Sequence, residues 1–82
     1  MSSQQVYSFL KKHKGTAYTL KSLKKRLKTA NLWKKLGQLD NYNMINSVKG
    51  VVDYPHYKNA HVTYYYVGNL RRYIPRPKQV MV

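Results

Sequence analysis

At Val51 the hydrophobic period of this chain changes, and that change limits its possible folds more than any other feature. Before it, apolar residues recur at helical spacing: Val6, Phe9, Leu10 and His13 stand at i, i+3, i+4 and i+7. After it, Val51-Val52-Asp53-Tyr54-Pro55-His56-Tyr57 and His61-Val62-Thr63-Tyr64-Tyr65-Tyr66-Val67 are β-branched and aromatic, as strands are. Helices first and a strand pair second is an α+β plan.

The punctuation divides the helical part. A first helix is expected from Ser3 to Lys14, capped by Ser2 or Ser3 and stopped by Gly15. Thr16-Ala17-Tyr18 is a short β-prone stretch. Thr19 caps a second helix to Lys28, with Leu20, Leu23 and Leu27 facing inward. Asn31 caps a third, marked by Leu32, Leu36 and Leu39, with Trp33 expected beside them in the core. Gly37 weakens that helix by roughly 1 kcal/mol relative to Ala. Asp40 caps a last helix, Asn41 to Lys49, with Met44, Ile45 and Val48 inward and Gly50 as its stop. Lys58-Asn59-Ala60 is the expected hairpin loop. Residues 1–69 then form the domain. Residues 70–82, with two prolines and four positive charges, form an extended basic tail.

Charge narrows the function. Sixteen Lys and Arg face two Asp and no Glu, a net charge of +14 over 82 residues. Solubility of a small domain needs a net charge of only about 2–8, so this excess implies a polyanionic partner. Enzymes that use paired carboxylates are disfavoured, since Asp40 and Asp53 are the whole inventory. His13, His56 and His61 lack the spacing of a helical metal pair, and there is no Cys. A non-enzymatic protein without cofactor or metal is therefore expected. No run approaches the roughly 18 apolar residues that span a bilayer, and helix two has only a narrow leucine stripe. No membrane partner is expected, and the polar start Met1-Ser2-Ser3-Gln4-Gln5 is unlike a signal peptide. The expected location is cytoplasmic or nucleoid-associated, with nuclear or intravirion settings as alternatives, and not secreted.

Helix, short strand, helix, helix and hairpin, from Val6 to Val67, resembles the winged helix-turn-helix superfamily. The resemblance implies a three-stranded sheet with the last strand central and Pro55 in the edge strand, where proline is tolerated. It also implies a hairpin wing and a helix that enters the major groove of duplex DNA. The stretch Lys58-Asn59-Ala60-His61-Val62-Thr63-Tyr64 also looks somewhat like a small-subunit ribosomal protein with a winged-helix core, which frames an RNA-binding alternative.

Candidate contacts sort by chemistry. Lys11, Lys12, Lys14, Lys21, Lys24, Lys25, Arg26, Lys28, Lys34 and Lys35 are phosphate anchors. On the expected last helix, Asn43, Asn46 and Ser47 project opposite the apolar face, with Tyr42 on the flank and Lys49 at its end. Asn pairs bidentately with adenine and Ser with either base type. Lys58 lies in the expected wing tip. Arg71, Arg72, Arg76 and Lys78 make the tail a minor-groove arm. Duplex DNA is favoured over RNA, for a small transcription regulator or a genome-coating protein. The apolar end Val80-Met81-Val82 is expected to dock as a strand, on its own domain or on a second copy in a homodimer.

Overall fold

Thr19 shows how local chemistry sets the element boundaries. It ends strand β1 (Thr16–Thr19), and its extended backbone lets its Oγ1 accept from the Ser22 amide, 3.2 Å away, to start α2 (Leu20–Arg26). In this computed structural model, which describes residues 3–81, α1 (Ser3–Lys12) comes before that pair and α3 (Leu32–Asn41) follows it. Strands β2 (Asn46–Tyr54), β3 (Tyr57–Tyr66), β4 (Arg72–Ile74) and β5 (Gln79–Met81) complete the chain. Ser2, one of the two expected caps, and Val82 lie outside the described residues. The fold is α+β, with the strands in one mixed sheet of order β4-β1-β3-β2-β5.

Alternation along the strands builds a core on each side of the sheet. Tyr18 and Tyr65 join Val6, Leu10, Leu23, Leu32, Leu36, Leu39 and Ile45 in the helical core. Each buried leucine contributes roughly 1.5–3 kcal/mol. Ala17, Tyr64 and Val52 form the second core, packed by Val48, Val62, Tyr66, Leu70 and Tyr73. Tyr64 is fully buried, its ring edge-on to Tyr73 at 5.1 Å, and its hydroxyl donates to the Pro75 carbonyl.

The chain after Asn69 is extended and paired into the sheet. Strand β4 runs parallel to β1, aligning Thr16 with Arg72, and β5 runs antiparallel to β2, aligning Gly50 with Val80. Both edges of the β1-β3-β2 unit are thus covered. Gly15 is the joint where these parts meet. Its N–H donates to the Val67 carbonyl, and its own carbonyl accepts from the Arg71 and Arg72 amides at 2.7 and 3.1 Å. Its φ of 89° suits glycine, and an added Cβ would lie 2.9 Å from the Asn69 carbonyl oxygen.

Three expectations are corrected. There is no helix over Asn41–Lys49. The third helix continues through Asn41, Met44 N–H closes onto the Leu39 carbonyl, and Asn43 takes a left-handed turn at φ 57°. Strand β2 then starts at Asn46, with Gly50 buried between Val62 and Val80 instead of stopping a helix. Pairing on both sides outweighs the helix-like spacing of Met44, Ile45 and Val48, and Met44 is exposed. Second, the hairpin reverses at Pro55-His56, not at Lys58-Asn59-Ala60. Lys58 and Asn59 instead oppose the single residue Asp53 in a β-bulge, with Asn59 left-handed at φ 55°. Pro55 therefore sits in the turn, and β2 is not an edge strand. Third, Trp33 is 58% exposed rather than in the core, because Leu32, Leu36 and Leu39 turn it toward solvent.

Burial, with Tyr54 and Tyr73 nearby, pushes the Tyr64 phenol from 10.0 up to about 12. The fold favours its neutral form, so that stabilisation is complete below pH 10.0 and is lost as pH rises toward about 12. Tyr64→Phe is expected to cost about 1 kcal/mol at neutral pH by leaving the Pro75 carbonyl unpaired. In thermal melts it should also lose less stability than the wild type above pH 10.0.

Candidate nucleic-acid interface

Helix α2 uses one side for packing and leaves the rest cationic. Ser22 and Leu23 are buried, while Lys21, Lys24, Lys25 and Arg26 are exposed. The helix is held at its start by Thr19 and against the tail by Ser22, whose Oγ donates to the Ile74 carbonyl at 3.1 Å. With almost no carboxylate to pair with, several cations lie over aromatic rings. Lys21 Nζ is 4.4 Å from the Tyr54 ring centroid, and the Arg26 guanidinium is 5.2 Å from that of Tyr18. Arg26 Nη1 also donates to the Ser22 carbonyl. Tyr54 reaches back from the hairpin, its hydroxyl donating to Thr19 Oγ1 at 3.4 Å. The hairpin is thereby tied to the start of α2, with a groove of about 550 Å³ between them lined by Leu20, Lys21, Lys24, Tyr54 and Tyr65.

Lys28 is exposed in the link between α2 and α3. On α3, Leu32, Leu36 and Leu39 face the core, so Lys34, Gly37, Gln38 and Asn41 form the outer face with Trp33 on its flank. Lys34 Nζ stands 5.6 Å from the Trp33 ring. Lys35 Nζ instead donates to the Ala30 carbonyl at 2.6 Å, tying down the α2–α3 link. Gly37 has nothing within 4 Å of where a Cβ would lie. No packing contact requires a glycine there.

The residues expected to read bases are divided between other elements. Tyr42, 74% exposed, caps α3, and Asn43 lies in the turn beyond it. Asn46 and Ser47 are exposed at the start of β2, aligned with Tyr66 and Tyr65 on β3. Because the segment is turn and strand, they do not form the helical face expected of them. Gln38 and Asn41 occupy such a face, and the Leu32-Leu36-Leu39 spacing already placed them outward. Lys49 lies mid-strand on β2 opposite Thr63, and Lys58 lies on the bulge of β3. Lys11, Lys12 and Lys14 are exposed at the end of α1 and just after it. Lys14 lines a concavity with Asn69 and Arg71. Arg71, Arg72 and Arg76 line another with Tyr73 and Pro77. Held to β1, this segment is a fixed surface instead of a free arm.

Of the two acids, Asp53 is engaged. Asp53 accepts from the Asn59 amide at 2.9 Å and pairs with Lys78 at 2.9 Å. Lys78 Nζ also donates to Asn59 Oδ1, and its backbone N–H to the Val51 carbonyl. This is the single ion pair among the described residues. Among them there is also no cluster that could hold a metal ion, and no helix long and apolar enough to cross a membrane. Compared with family models, curated proteins and solved structures, the chain has no match.

The Asn59 amide, then Lys78, hold the Asp53 carboxyl below its ordinary 3.8. That stabilisation is present above 3.8 and is lost as pH falls through the lower folded value. Melting curves of Asp53→Asn should therefore differ from wild type at neutral pH and converge with it in strong acid. Gly37→Ala should raise unfolding free energy by roughly 0.5–1 kcal/mol in denaturant titrations, since only helix propensity changes.

Proposed function

We propose that this protein is a non-enzymatic winged-helix domain that binds nucleic acid, with duplex DNA the preferred form. The order α1-β1-α2-α3-β2-β3, with β3 central between β1 and β2, carries the fold part of this reading. The net charge of +14 supports a polyanionic partner. In this reading α2 and α3 are the helix-turn-helix pair, the β2–β3 hairpin is the wing, and β4 and β5 are additions at the sheet edges.

The roles follow the chemistry of each surface. Lys21, Lys24, Lys25, Lys28 and Lys34 supply phosphate attraction that carries no sequence information. The outer face of α3 enters the major groove, where Gln38 and Asn41 have the amides that pair with adenine. Gly37, just before Gln38 on the same face, lets the helix backbone approach closely. That face carries a single Lys and no Arg, which limits direct reading and leans toward broad genome coverage rather than a single-site regulator.

An RNA-binding structural role is the second reading. Trp33 at 58% and Tyr57 at 65% exposure are aromatic platforms of the kind that stack unpaired bases, which duplex DNA does not present.

Duplex affinity measured against salt tests the main reading. With about five phosphate contacts from Lys21, Lys24, Lys25, Lys28 and Lys34 and about one to three from the other exposed cations, the log–log slope should be near −5 to −7, and a slope shallower than about −2 sinks it. Lys24→Ala with Lys25→Ala should weaken all duplexes alike and flatten the slope. Gln38→Ala with Asn41→Ala should cost about 1–3 kcal/mol at a selected site and little on scrambled DNA. If instead the lysine variant loses only structured-RNA binding, the second reading takes over.

A further inference from the structure

The chain has four arginines, Arg26, Arg71, Arg72 and Arg76, against twelve lysines, and three of the four line one concavity of about 450 Å³. A lysine is a flexible point charge, whereas a guanidinium is a rigid fork that grips oxyanions bidentately. Elsewhere on the surface lysine predominates. The segregation marks this place as chemically different from the phosphate-tracking face of α2.

The backbone that carries these side chains is fixed before any ligand arrives. Arg71 and Arg72 are pinned by their amides to the Gly15 carbonyl, and the Arg71 stem lies about 3.5 Å from the site of a Gly15 Cβ. Arg76 stands between Pro75, whose carbonyl accepts from buried Tyr64, and Pro77. Two residues on, the Lys78 amide is bonded to Val51. The segment is anchored on both sides of the cluster, so binding has to order the exposed guanidinium side chains but not the backbone that carries them. Among the described residues no carboxylate lies within ion-pair distance of any of the three arginines. Three like charges around one hollow repel each other until an anion enters.

We propose that Arg71, Arg72 and Arg76 form a binding site for a phosphate monoester. An internal phosphodiester brings one charge and two free oxygens. A monoester brings nearly two charges and three acceptor oxygens, the better match to three guanidiniums in a hollow. Its source is either the phosphorylated end of a nucleic acid or a free phosphorylated small molecule. The first source rests on the nucleic-acid reading above, and the second does not.

The test uses one duplex in three forms, with a 5′-phosphate, with a 5′-hydroxyl, and closed into a circle without ends. Binding is measured for the whole protein and for Arg72→Gln with Arg76→Gln. Thermal melts with inorganic phosphate against chloride at equal ionic strength run beside it. The 5′-phosphate form should bind roughly tenfold more tightly than the hydroxyl form, about the effect of one charge-assisted hydrogen bond. The ratio should fall to one in the double variant, even as the two lost charges weaken its binding to all three forms alike. If the ratio is one in the wild type, while phosphate raises its melting temperature and not the variant's, the free monoester is the ligand. If phosphate is bound and no duplex is, the site stands and the nucleic-acid reading fails. If neither the ratio nor the phosphate effect depends on these arginines, the proposal is overturned. Arg76→Lys keeps the charge without the fork and should lose most of the ratio, which keeps the test decisive if the double variant does not fold.

Discussion

Tyr64, fully buried in the central strand, ties β1 and β2 to the segment after β4. Its ring fills the second core between Ala17 and Val52, and its hydroxyl meets the Pro75 carbonyl. A buried phenol must find a partner, and here the partner is the segment that links β4 to β5. Its neighbour Tyr65 turns to the helical core. One strand thus connects both cores and fixes where the basic tail lies.

That arrangement also lets so cationic a chain fold. With two carboxylates there can be no network of ion pairs, and burial of apolar surface must outweigh repulsion. The cations are managed in other ways. Lys21, Arg26 and Lys34 lie over aromatic rings, Lys35 reaches a carbonyl, and Lys78 takes the one available acid on the hairpin. The same tail that neutralises Asp53 brings Arg71, Arg72 and Arg76 together. Folding therefore concentrates positive charge on α2 and around the three tail arginines.

Much of the helical part was legible beforehand because its signals are local. Val6 and Leu10, then Leu23, then Leu32, Leu36 and Leu39, are spaced at helical turns, and Thr19 and Gly15 mark their limits. In the segment 41–50 the local signals are ambiguous, because Met44, Ile45 and Val48 fit a helical face as well as a strand, and Gly50 suits a helix stop. Alternation of Val48, Gly50 and Val52 into one core was the competing signal. It prevailed only because β3 and β5 lie alongside. Asn43, Asn46 and Ser47 are accordingly split between turn and strand, and Gln38 and Asn41 are the exposed amides on the preceding helix.

The chain by itself determined its α+β class, the three helices, its strand-forming second half and its excess of positive charge. Composition and near-neighbour spacing are enough for those, since caps, stripes and net charge act over a few residues or over the whole. Only the tertiary structure decided the register of the hairpin, the bulge at Asp53, the exposure of Trp33 and the pairing of the tail with both sheet edges. These depend on which distant backbone groups satisfy each other. A short apolar stretch has no local preference strong enough to choose before its partners are in place.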